Sequence, residues 1–326
     1  MTNPFENRKT KRIVLLIFSM ACTLPAFSQF EAQLSQYMFH PATYNPAAIA
    51  EGGMINVTGQ HKIQWLGMPG APQTTFFTIN APFRGSKTVT QGLGIRFLND
   101  KIGAFTNQSA GLQYSFKKNI GKGVLSMGAD LGFVSVGFMA DSVKKSDINS
   151  EYHDFSGDMT IPTADENGMS LDMSVGAFYS APKYYAGISY VHLNAPAVKL
   201  GEKSIFHVRG VMYLTGGYDA AFANPKLLLR TSTLLKTDYT TWQAELSSRL
   251  EYDKRFWGGL SYRYQDAVIV LAGLNLASGF TLGYAYELPT GKMLTVSSGS
   301  HELLLSYSFA FDLSKNKNKY KSIRIL

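Results

Sequence analysis

Large apolar residues occupy every second position in several long runs of this 326-residue chain. The run 280–288 is a clear case, and its alternate apolar residues are Phe280, Leu282, Tyr284, Tyr286 and Leu288. A period of two places such residues on one face of a β-strand and their neighbours on the other face. After residue 28 there is no stretch of about 18 or more consecutive apolar residues, so membrane-spanning helices are not expected.

Fourteen runs of this kind follow one another along the chain. They cover approximately residues 54–65, 73–83, 91–99, 107–117, 123–137, 169–181, 184–194, 205–221, 227–238, 241–253, 255–265, 267–277, 280–289 and 301–313. Most have the roughly nine to eleven residues that a tilted strand needs to cross a membrane. A soluble β-sandwich also alternates, but it does not usually need so many long strands. The pattern predicts an all-β protein, a transmembrane antiparallel β-barrel of about 14 strands over residues 54–313.

The composition favours a chain that shows apolar surface to lipid on alternate residues only. Charged residues make up 17% of the chain, whereas about 25% is usual. Aromatic residues make up 13% and cluster near the ends of the predicted strands, where the boundary between lipid and water suits their rings. Mean hydropathy is nevertheless near zero. The formal charge of +8 includes four cations near the start of the chain and is too small to indicate nucleic-acid binding.

The predicted connections alternate in length. Those after even-numbered strands are short, at 84–90, 118–122, 182–183, 222–226, 254 and 278–279. Those after odd-numbered strands include the longer ones, at 66–73, 138–168, 195–204 and 290–300. In an outer-membrane barrel the short turns face the periplasm and the long loops face outward. The longest loop, 138–168, has seven acidic residues. We expect a solvated, partner-facing loop there, with calcium binding as the alternative.

Residues 1–28 have the features of a signal peptide. Basic residues within 8–12 precede an apolar stretch, 13–24, that is too short to span a bilayer, and Ala-Phe-Ser at 26–28 fits a cleavage site. An uncleaved anchor and a lipoprotein modified at Cys22 are the alternatives. Because Cys22 is the only cysteine, cleavage after residue 28 would leave no thiol for a disulfide or a metal.

The segment 29–53, between the leader and the first predicted strand, is rich in Gln, Tyr, Asn and Pro. Pro41 and Pro46 do not permit one continuous helix, and amide and hydroxyl groups can form hydrogen bonds in a polar lumen without the desolvation cost of a charge. We therefore expect the segment to plug or line the barrel on its periplasmic side, or to dock a periplasmic or secreted partner. A disordered linker is the third possibility. The residues assigned to plugging or docking are Gln33, Gln36, Tyr37, Met38, Phe39, Tyr44, Asn45 and Pro46.

Ionisable side chains fall on the predicted inward faces of the strands. The residues assigned as lumen charges are Arg96, Glu245, Arg249, Glu251, Arg263 and Glu287. Four more fall on the same faces: Asp130, Asp172, Arg209 and Arg230. Opposite charges can pair across such a lumen, which predicts a closed or plugged barrel. A selective channel is the alternative.

Catalytic and metal-binding motifs are missing from the sequence. The six histidines are scattered, and there is no H-E-x-x-H, Walker-type or G-x-S-x-G motif. We therefore expect no enzymatic activity, no cofactor, no metal and no small-molecule substrate. The end of the chain, 314–326, has five basic residues and is expected to form a periplasmic tail. That tail is either solvated or docks an acidic partner.

Three stretches of the sequence resemble the PorP/SprF family of type IX secretion proteins. The stretch Gln-Leu-Ser-Gln-Tyr-Met-Phe-His-Pro at 33–41, followed by Tyr-Asn-Pro-Ala at 44–47, resembles the segment after the signal peptide in that family. Here His40 replaces a common Asn, and Ala-Ala-Ile-Ala at 47–50 differs from the family's usual ending. Ser-Tyr-Arg-Tyr-Gln-Asp-Ala at 261–267 resembles a strand with an R-Y-x-D core, and Ser-His-Glu-Leu-Leu-Leu-Ser-Tyr at 300–307 resembles the final strand. The resemblance runs from about residue 33 to residue 312.

This resemblance implies an outer-membrane barrel of Bacteroidetes that serves the type IX secretion system. Family members belong to the core secretion machinery or act with a partner adhesin. We favour a role in which the protein partners with a secreted adhesin or a secretion subunit and helps to export it or anchor it at the cell surface. An outer-membrane transport channel of the fatty-acid-carrier type, with an N-terminal hatch, is the alternative function.

Overall fold

The computed structural model describes residues 31–84, 89–140, 164–201 and 204–310. In chain order the strands of these ranges are β1 (Ile55–Ile63), β2 (Gln73–Arg84), β3 (Val89–Ile102), β4 (Phe105–Ile120), β5 (Gly123–Phe138), β6 (Glu166–Ser180), β7 (Tyr184–Val191), β8 (Ala197–Leu200), β9 (Ser204–His207), β10 (Val211–Ala221), β11 (Leu227–Thr237), β12 (Trp242–Tyr252), β13 (Phe256–Arg263), β14 (Ala267–Asn275), β15 (Phe280–Pro289) and β16 (Ser300–Phe309). All of them except β8 and β9 form one closed antiparallel barrel of fourteen strands. The predicted fold class is confirmed.

The barrel closes because β1 pairs along both of its edges. Ile55 lies opposite Phe309 of β16 and Ile63 lies opposite His301, while the other edge of β1 pairs with β2. The remaining barrel strands follow chain order, except that β7 pairs with β10. Every barrel strand therefore has a neighbour on each side. Closure satisfies the backbone N–H and C=O groups that lipid cannot satisfy.

The alternation in the sequence sorts side chains between lipid and lumen. On β4, Leu112 points outward and is 68% exposed, whereas the next residue, Gln113, points into the lumen and is 2% exposed. On β12, Leu246 is exposed and Ser247 is buried in the same way. The wide apolar face of each strand is thus the outer surface of the barrel, and the small or polar face lines the lumen.

The two ends of the barrel differ in their connections. The short-turn end has the connections 121–122, 181–183, 222–226, 253–255 and 276–279. The loop end has the long connections 64–72, 139–165, 192–210 and 290–299, together with three short ones. The short turns of such barrels face the periplasm.

Residues 85–88, 141–163 and 311–326 lie outside the described residues. The predicted leader and the predicted basic tail also lie outside them, and so does most of the acidic loop for which calcium binding was the alternative.

The predicted strand 205–221 is two separate elements. β9 ends at His207 and pairs with β8, whereas β10 begins at Val211 and pairs with β7. The hairpin of β8 and β9 packs on the inward face of β5 through a buried apolar cluster. The cluster consists of Val134, Val136, Val198, Leu200 and Val208. The sequence did not reveal the break because each piece alternates with a period of two. The buried face nevertheless changes from an even position, Val208, to the odd positions Val211 and Tyr213.

Helices are short in the described part of the chain. Four 3-10 helices of three residues each precede β1, at Tyr37–Phe39, Pro41–Thr43, Pro46–Ala48 and Glu51–Gly53. Another, Lys292–Thr295, lies in the connection before β16. Within the described ranges, no helix has both the length and the apolar character needed to cross a membrane.

Replacing Leu112→Arg tests the assignment of the outer face. Leu112 lies near the middle of β4, opposite Ile95 and Leu131, where a cation would face the middle of the bilayer. We expect the free energy of unfolding in lipid to fall by about 2–4 kcal/mol. The measurement is equilibrium unfolding in phospholipid vesicles. Leu294→Arg, on the connection 290–299, is the matched control and should change stability little. Equal losses in both variants would contradict the assignment.

Candidate functional site: the N-terminal segment in the barrel lumen

The N-terminal segment, residues 31–53, lies inside the barrel. Tyr37 is 1% exposed and Ile49 is fully buried. Pro41 and Pro46 each open a 3-10 turn, so their fixed φ angles bend the chain repeatedly instead of continuing it as a helix or strand. The segment therefore folds compactly and makes contact with strands around the lumen.

The segment extends further than its predicted position on the periplasmic side. At the short-turn end, Glu51 lies 3.4 Å from the Nζ of Lys117, just before the chain enters β1. Toward the loop end, the main-chain oxygen of Gln33 accepts a hydrogen bond of 2.9 Å from the Nζ of Lys62, the penultimate residue of β1. The segment reaches this depth because many of the charged side chains that bind its backbone lie in the half of the lumen near the loop end.

Glu302 of β16 binds the backbone at the start of the segment. Its Oε2 accepts a hydrogen bond of 2.7 Å from the N–H of Ser35, and its Oε1 accepts one of 2.8 Å from the N–H of Gln36. Oε1 also accepts hydrogen bonds from the side-chain amides of Gln36 and Gln60. Glu302 is 1% exposed. One carboxylate thus satisfies two backbone donors that are buried away from water.

Arg263 of β13 is the centre of a buried charge cluster. Its Nε lies 2.8 Å from the Oε2 of Glu245, and its Nη1 lies 3.0 Å from the Oε2 of Glu287. The Nζ of Lys62 is 2.9 Å from the same oxygen of Glu287. Ser35 of the segment donates a hydrogen bond of 2.8 Å to that oxygen. Each of these buried cations faces a carboxylate, which offsets the cost of removing charge from water.

A second cluster binds Glu31 to the opposite wall of the lumen. The Nε2 of His192 lies 2.6 Å from the Oε1 of Glu31, and its Nδ1 lies 2.8 Å from the Oδ1 of Asp172. Arg96 continues the cluster, with its Nη2 3.3 Å from Asp172 and its Nε 2.7 Å from Asp130. The segment is therefore held from two sides by charges on different strands.

The pair formed by Glu31 and His192 is ionised at neutral pH. Burial by itself would raise the pKa of Glu31, but the hydrogen bond and the charge of His192 lower that pKa to about 2. His192 lies in the connection after β7. Burial would lower its pKa, but hydrogen bonds to Asp172 and Glu31 raise that pKa to about 10. The contact is thus a charge-assisted hydrogen bond.

Two tyrosines anchor the middle of the segment. Ser247 donates a hydrogen bond of 3.1 Å to the hydroxyl of Tyr37, which in turn donates one of 3.4 Å to the hydroxyl of Ser232. The ring of Tyr44 stacks on that of Tyr213 with centroids 5.4 Å apart. The Tyr44 hydroxyl also donates a hydrogen bond to the main-chain oxygen of Tyr37. Both rings therefore pack on the wall with their hydroxyl groups satisfied.

Phe39 packs into an apolar part of the wall. Its ring centroid lies 4.7 Å from that of Trp257, and the guanidinium carbon of Arg249 lies 4.1 Å from the centroid of Phe39. Met38 and Phe39 pack on a cluster that includes Trp257 and Ile269. A cation over an aromatic face is attracted by the ring quadrupole, so Phe39 is bound by both packing and charge.

Asn45 connects the segment to β6 and β7. Its Nδ2 donates hydrogen bonds to the main-chain oxygens of Ala177 and Ile188, and its Oδ1 accepts one of 3.0 Å from the N–H of Ala47.

Glycine is required where the segment approaches the wall. A Cβ at Gly128 of β5 would overlap the main chain at Pro46 and Ala47.

His40 is buried in the segment as a neutral ring. It stacks on Phe76 with centroids 5.6 Å apart, and its Nδ1 lies 2.9 Å from the hydroxyl of Thr43. Burial lowers the pKa of His40 to about 4. At pH 7 the ring therefore carries no charge.

A cavity of about 90 Å³ remains between the segment and the wall. Its lining includes Glu31, Tyr37, Tyr44, Arg96 and Lys236. The charged and hydroxyl groups among these side chains can hold a few ordered water molecules in a cavity of this size.

The residues assigned from the sequence have the following positions. The plug or docking residues Gln33, Gln36, Tyr37, Met38, Phe39, Tyr44, Asn45 and Pro46 lie on the segment inside the lumen. The lumen charges Arg96, Glu245, Arg249, Glu251, Arg263 and Glu287 lie on inward faces of strands.

The inward assignment of Arg209 is wrong. It lies in the connection between β9 and β10 with 64% of its side chain exposed, because the predicted strand is interrupted there.

Sequence reasoning missed several residues that bind the segment. They are Glu31, Lys62, His192, Lys236 and Glu302. The alternation could have identified three of them. Lys62 and Glu302 stand next to the outward-facing residues His61 and Leu303, and Lys236 is on the same face of β11 as Ser232. His192 carries no such signal, since it lies just beyond the end of β7.

A closed antiparallel barrel with an apolar outer face and an N-terminal segment in its lumen is a plugged transmembrane β-barrel. The family model of the type IX secretion system membrane protein PorP/SprF matches residues 26–307. The chain belongs to this family. It is an outer-membrane protein of the type IX secretion system.

Several solved structures of barrels are similar to this chain at low sequence identity. The Ralstonia pickettii toluene transporter TbuX has 12% identity and a TM-score of 0.45, covering 82% of this chain and 92% of that one. The translocator domain of the Neisseria meningitidis autotransporter NalP has 13% identity and a TM-score of 0.42, covering 81% and 92%. The Acinetobacter baumannii outer membrane protein Omp33 has 8% identity and a TM-score of 0.44, covering 80% and 100%. Similarity at this level does not bear on function. Comparison with curated proteins finds no match.

Glu302→Gln should loosen the start of the segment. The variant keeps the shape of the side chain but turns one acceptor into an amide donor that faces the N–H of Ser35 or Gln36. We expect docking of the segment to weaken by about 2–4 kcal/mol. Hydrogen–deuterium exchange in detergent should therefore be at least about 30-fold faster at these two amides. Glu251→Gln, which removes a charge paired with Arg230, is the control. Similar exchange in both variants would contradict the role of Glu302.

His40 should make stability depend on pH. Its pKa is about 4 in the folded protein and 6.5 in an exposed chain, so the unfolded state binds more protons between these values. The stability that comes from a neutral His40 is complete above pH 6.5 and is lost as pH falls toward 4, by up to about 3 kcal/mol. Guanidinium unfolding at pH 7 and pH 4.5 measures this effect. In His40→Asn the loss should be smaller by that amount, and an unchanged loss would contradict the assignment.

Proposed function

We propose that this protein partners with a secreted adhesin or a secretion subunit and helps to export it or anchor it at the cell surface, without catalysis of its own. The observation that carries the proposal is the N-terminal segment in the lumen. Glu302, the Arg263 cluster and the His192 cluster bind it from several strands. A lumen filled in this way favours a protein that holds a partner over one that conducts solutes.

The burial of the plug or docking residues supports the plug interpretation over a docking strip. Tyr37 and Asn45 are each 1% exposed, and Phe39 is covered by Trp257 and Arg249. A partner cannot reach these side chains while the segment stays in the lumen. In our proposal the segment keeps the barrel closed, and partners bind elsewhere on the protein.

The connections at the loop end supply surface for such a partner. Ile205 of the β8–β9 hairpin is 55% exposed, and Leu294 and Val296 of the connection 290–299 are 55% and 57% exposed. Apolar side chains on connections outside the bilayer gain free energy when another protein covers them. We therefore place the contact with a surface partner on these two connections.

Site-specific photo-crosslinking in native membranes tests the proposal. A crosslinking amino acid at position 205 or 294 should capture a secreted surface protein, and one at position 222 in a short turn should capture a secretion subunit if the partner is periplasmic. Position 112 on the lipid-facing surface is the matched control and should capture neither. We expect mass spectrometry to identify the same partner from positions 205 and 294. Capture of no protein from positions 205, 222 and 294 would overturn the proposal.

Planar-bilayer recording separates this proposal from the transport-channel alternative. We expect the purified wild-type protein to show no steps of conductance of the size that open porins give, because the segment fills the lumen. Regular conductance steps from wild-type protein that forms no crosslinked complex would favour the channel. Uptake of a candidate apolar solute would then be the next measurement.

A further inference from the structure

A second cavity, of about 200 Å³, lies at the short-turn end of the lumen beneath Met38. It is built by the ends of four neighbouring strands, β6, β7, β10 and β11, and by β12. Its polar lining includes Ser180, Tyr185, Ser232, Arg230 and Arg249. This cavity is separate from the charge clusters that bind the start of the segment, which lie nearer the loop end.

Arg249 in this cavity is buried without an anion. The residue is only 7% exposed, and its Nε and Nη1 form no hydrogen bond. In the described part of the chain, no carboxylate lies within ion-pairing distance of its guanidinium. Its contacts are instead the rings of Phe39, at 4.1 Å, and Trp257, at 5.4 Å. Aromatic faces compensate a buried cation only in part, so two desolvated donors remain without partners.

A second arginine faces the first. Arg230 of β11 lies directly opposite Arg249 of β12 in the strand register, and like charges in this position repel each other. Arg230 has acidic neighbours, since its Nη1 is 3.7 Å from Asp219 and its Nε is 3.4 Å from Glu251. That Nε still forms no hydrogen bond. The two guanidinium groups therefore present unsatisfied donors to one cavity, in which Arg230 has carboxylate neighbours and Arg249 has none within ion-pairing distance.

We propose that this cavity is a binding site for one carboxylate, contributed by a free organic acid or by an acidic residue of a periplasmic polypeptide. A carboxylate between Arg230 and Arg249 would relieve their repulsion and accept the free N–H groups, and the hydroxyls of Ser180 and Ser232 can donate to it as well. Asp219 and Glu251 nearby limit the negative charge that the site can accept, which favours a carboxylate over a doubly charged phosphate. The cavity faces the lumen, so a lipid headgroup is not the source. The proposal does not depend on the proposed function.

Thermal unfolding of the purified full-length protein in detergent tests the site. We expect about 50 mM sodium acetate to raise the Tm by about 2–3 °C above that in sodium chloride of equal ionic strength. Phosphate at equal ionic strength should have a smaller effect. An equal Tm in all three salts, or a larger shift in phosphate, would overturn the proposal without any variant.

Variants assign the effect to the cavity. Arg249→Met keeps the length of the side chain and removes the charge and donors, so the acetate-specific shift should disappear. Arg209→Met, which removes an exposed arginine at the loop end, is the control and should keep the shift. The variant removes an unpaired buried cation and also its contact with the ring of Phe39, so loss of the acetate-specific shift, and not the Tm in chloride, is the criterion. An unchanged acetate shift in Arg249→Met would mean that Arg249 only packs on Phe39 and would overturn the proposal. If that variant does not form a barrel, Arg230→Met is measured by the same criteria.

The source of the carboxylate is decided by two probes. The wild-type protein is compared in acetate and in a blocked tripeptide with a central Glu, at equal concentration. A larger shift with the peptide assigns the site to a polypeptide, and a shift with acetate alone assigns it to a free acid. Arg249→Met should lose either shift. A shift that persists in that variant would place the binding elsewhere and overturn the proposal.

Discussion

The structure depends on one constraint, which is that an irregular peptide inside a barrel must find hydrogen-bond partners for its backbone. Lipid surrounds the barrel and the segment is largely buried in the lumen, so many of those partners come from the inward faces of the strands. Glu302 meets this requirement for the N–H groups of Ser35 and Gln36. The charges on the inward faces are therefore part of the packing of the segment.

The two charge clusters follow from the same constraint. Arg263, Lys62 and Glu287 lie on one wall, and His192, Asp172 and Arg96 lie on the opposite wall. Removal of one partner from such a cluster leaves another charge buried without compensation, which costs more than the pair contributes. The segment and the barrel thus stabilise each other. This mutual dependence is the physical basis for a lumen that stays filled.

The chain belongs to a family of type IX secretion membrane proteins, and its barrel holds its own N-terminal segment in the lumen. In our proposal a filled lumen leaves the connections at the two ends as the places where other proteins bind. The loop end presents apolar side chains on its connections. The short-turn end presents the pair Arg230 and Arg249 in a cavity, which is suited to a single acidic group. The two ends therefore offer chemically different surfaces.

The sequence by itself determined the barrel, because the face of each residue in a strand depends only on whether its position is odd or even. The same rule placed Arg96, Glu245, Arg263 and Glu287 in the lumen, and the motif at 33–41 indicated the family. It did not reveal the break between β9 and β10, because each piece alternates with a period of two, and the buried face changes only in the short stretch between Val208 and Val211.

Only the tertiary structure decided which charges pair and how deep the segment lies. Ser35 meets Glu287 across 252 positions of the chain, and His192 joins Glu31 to Asp172. Such contacts are set by closure of the barrel and by the register of fourteen strands, which bring distant residues to the same height in one lumen. A pattern along the chain predicts which face of a strand a residue is on. It does not predict the position of that residue along the barrel axis or its partner on the opposite wall.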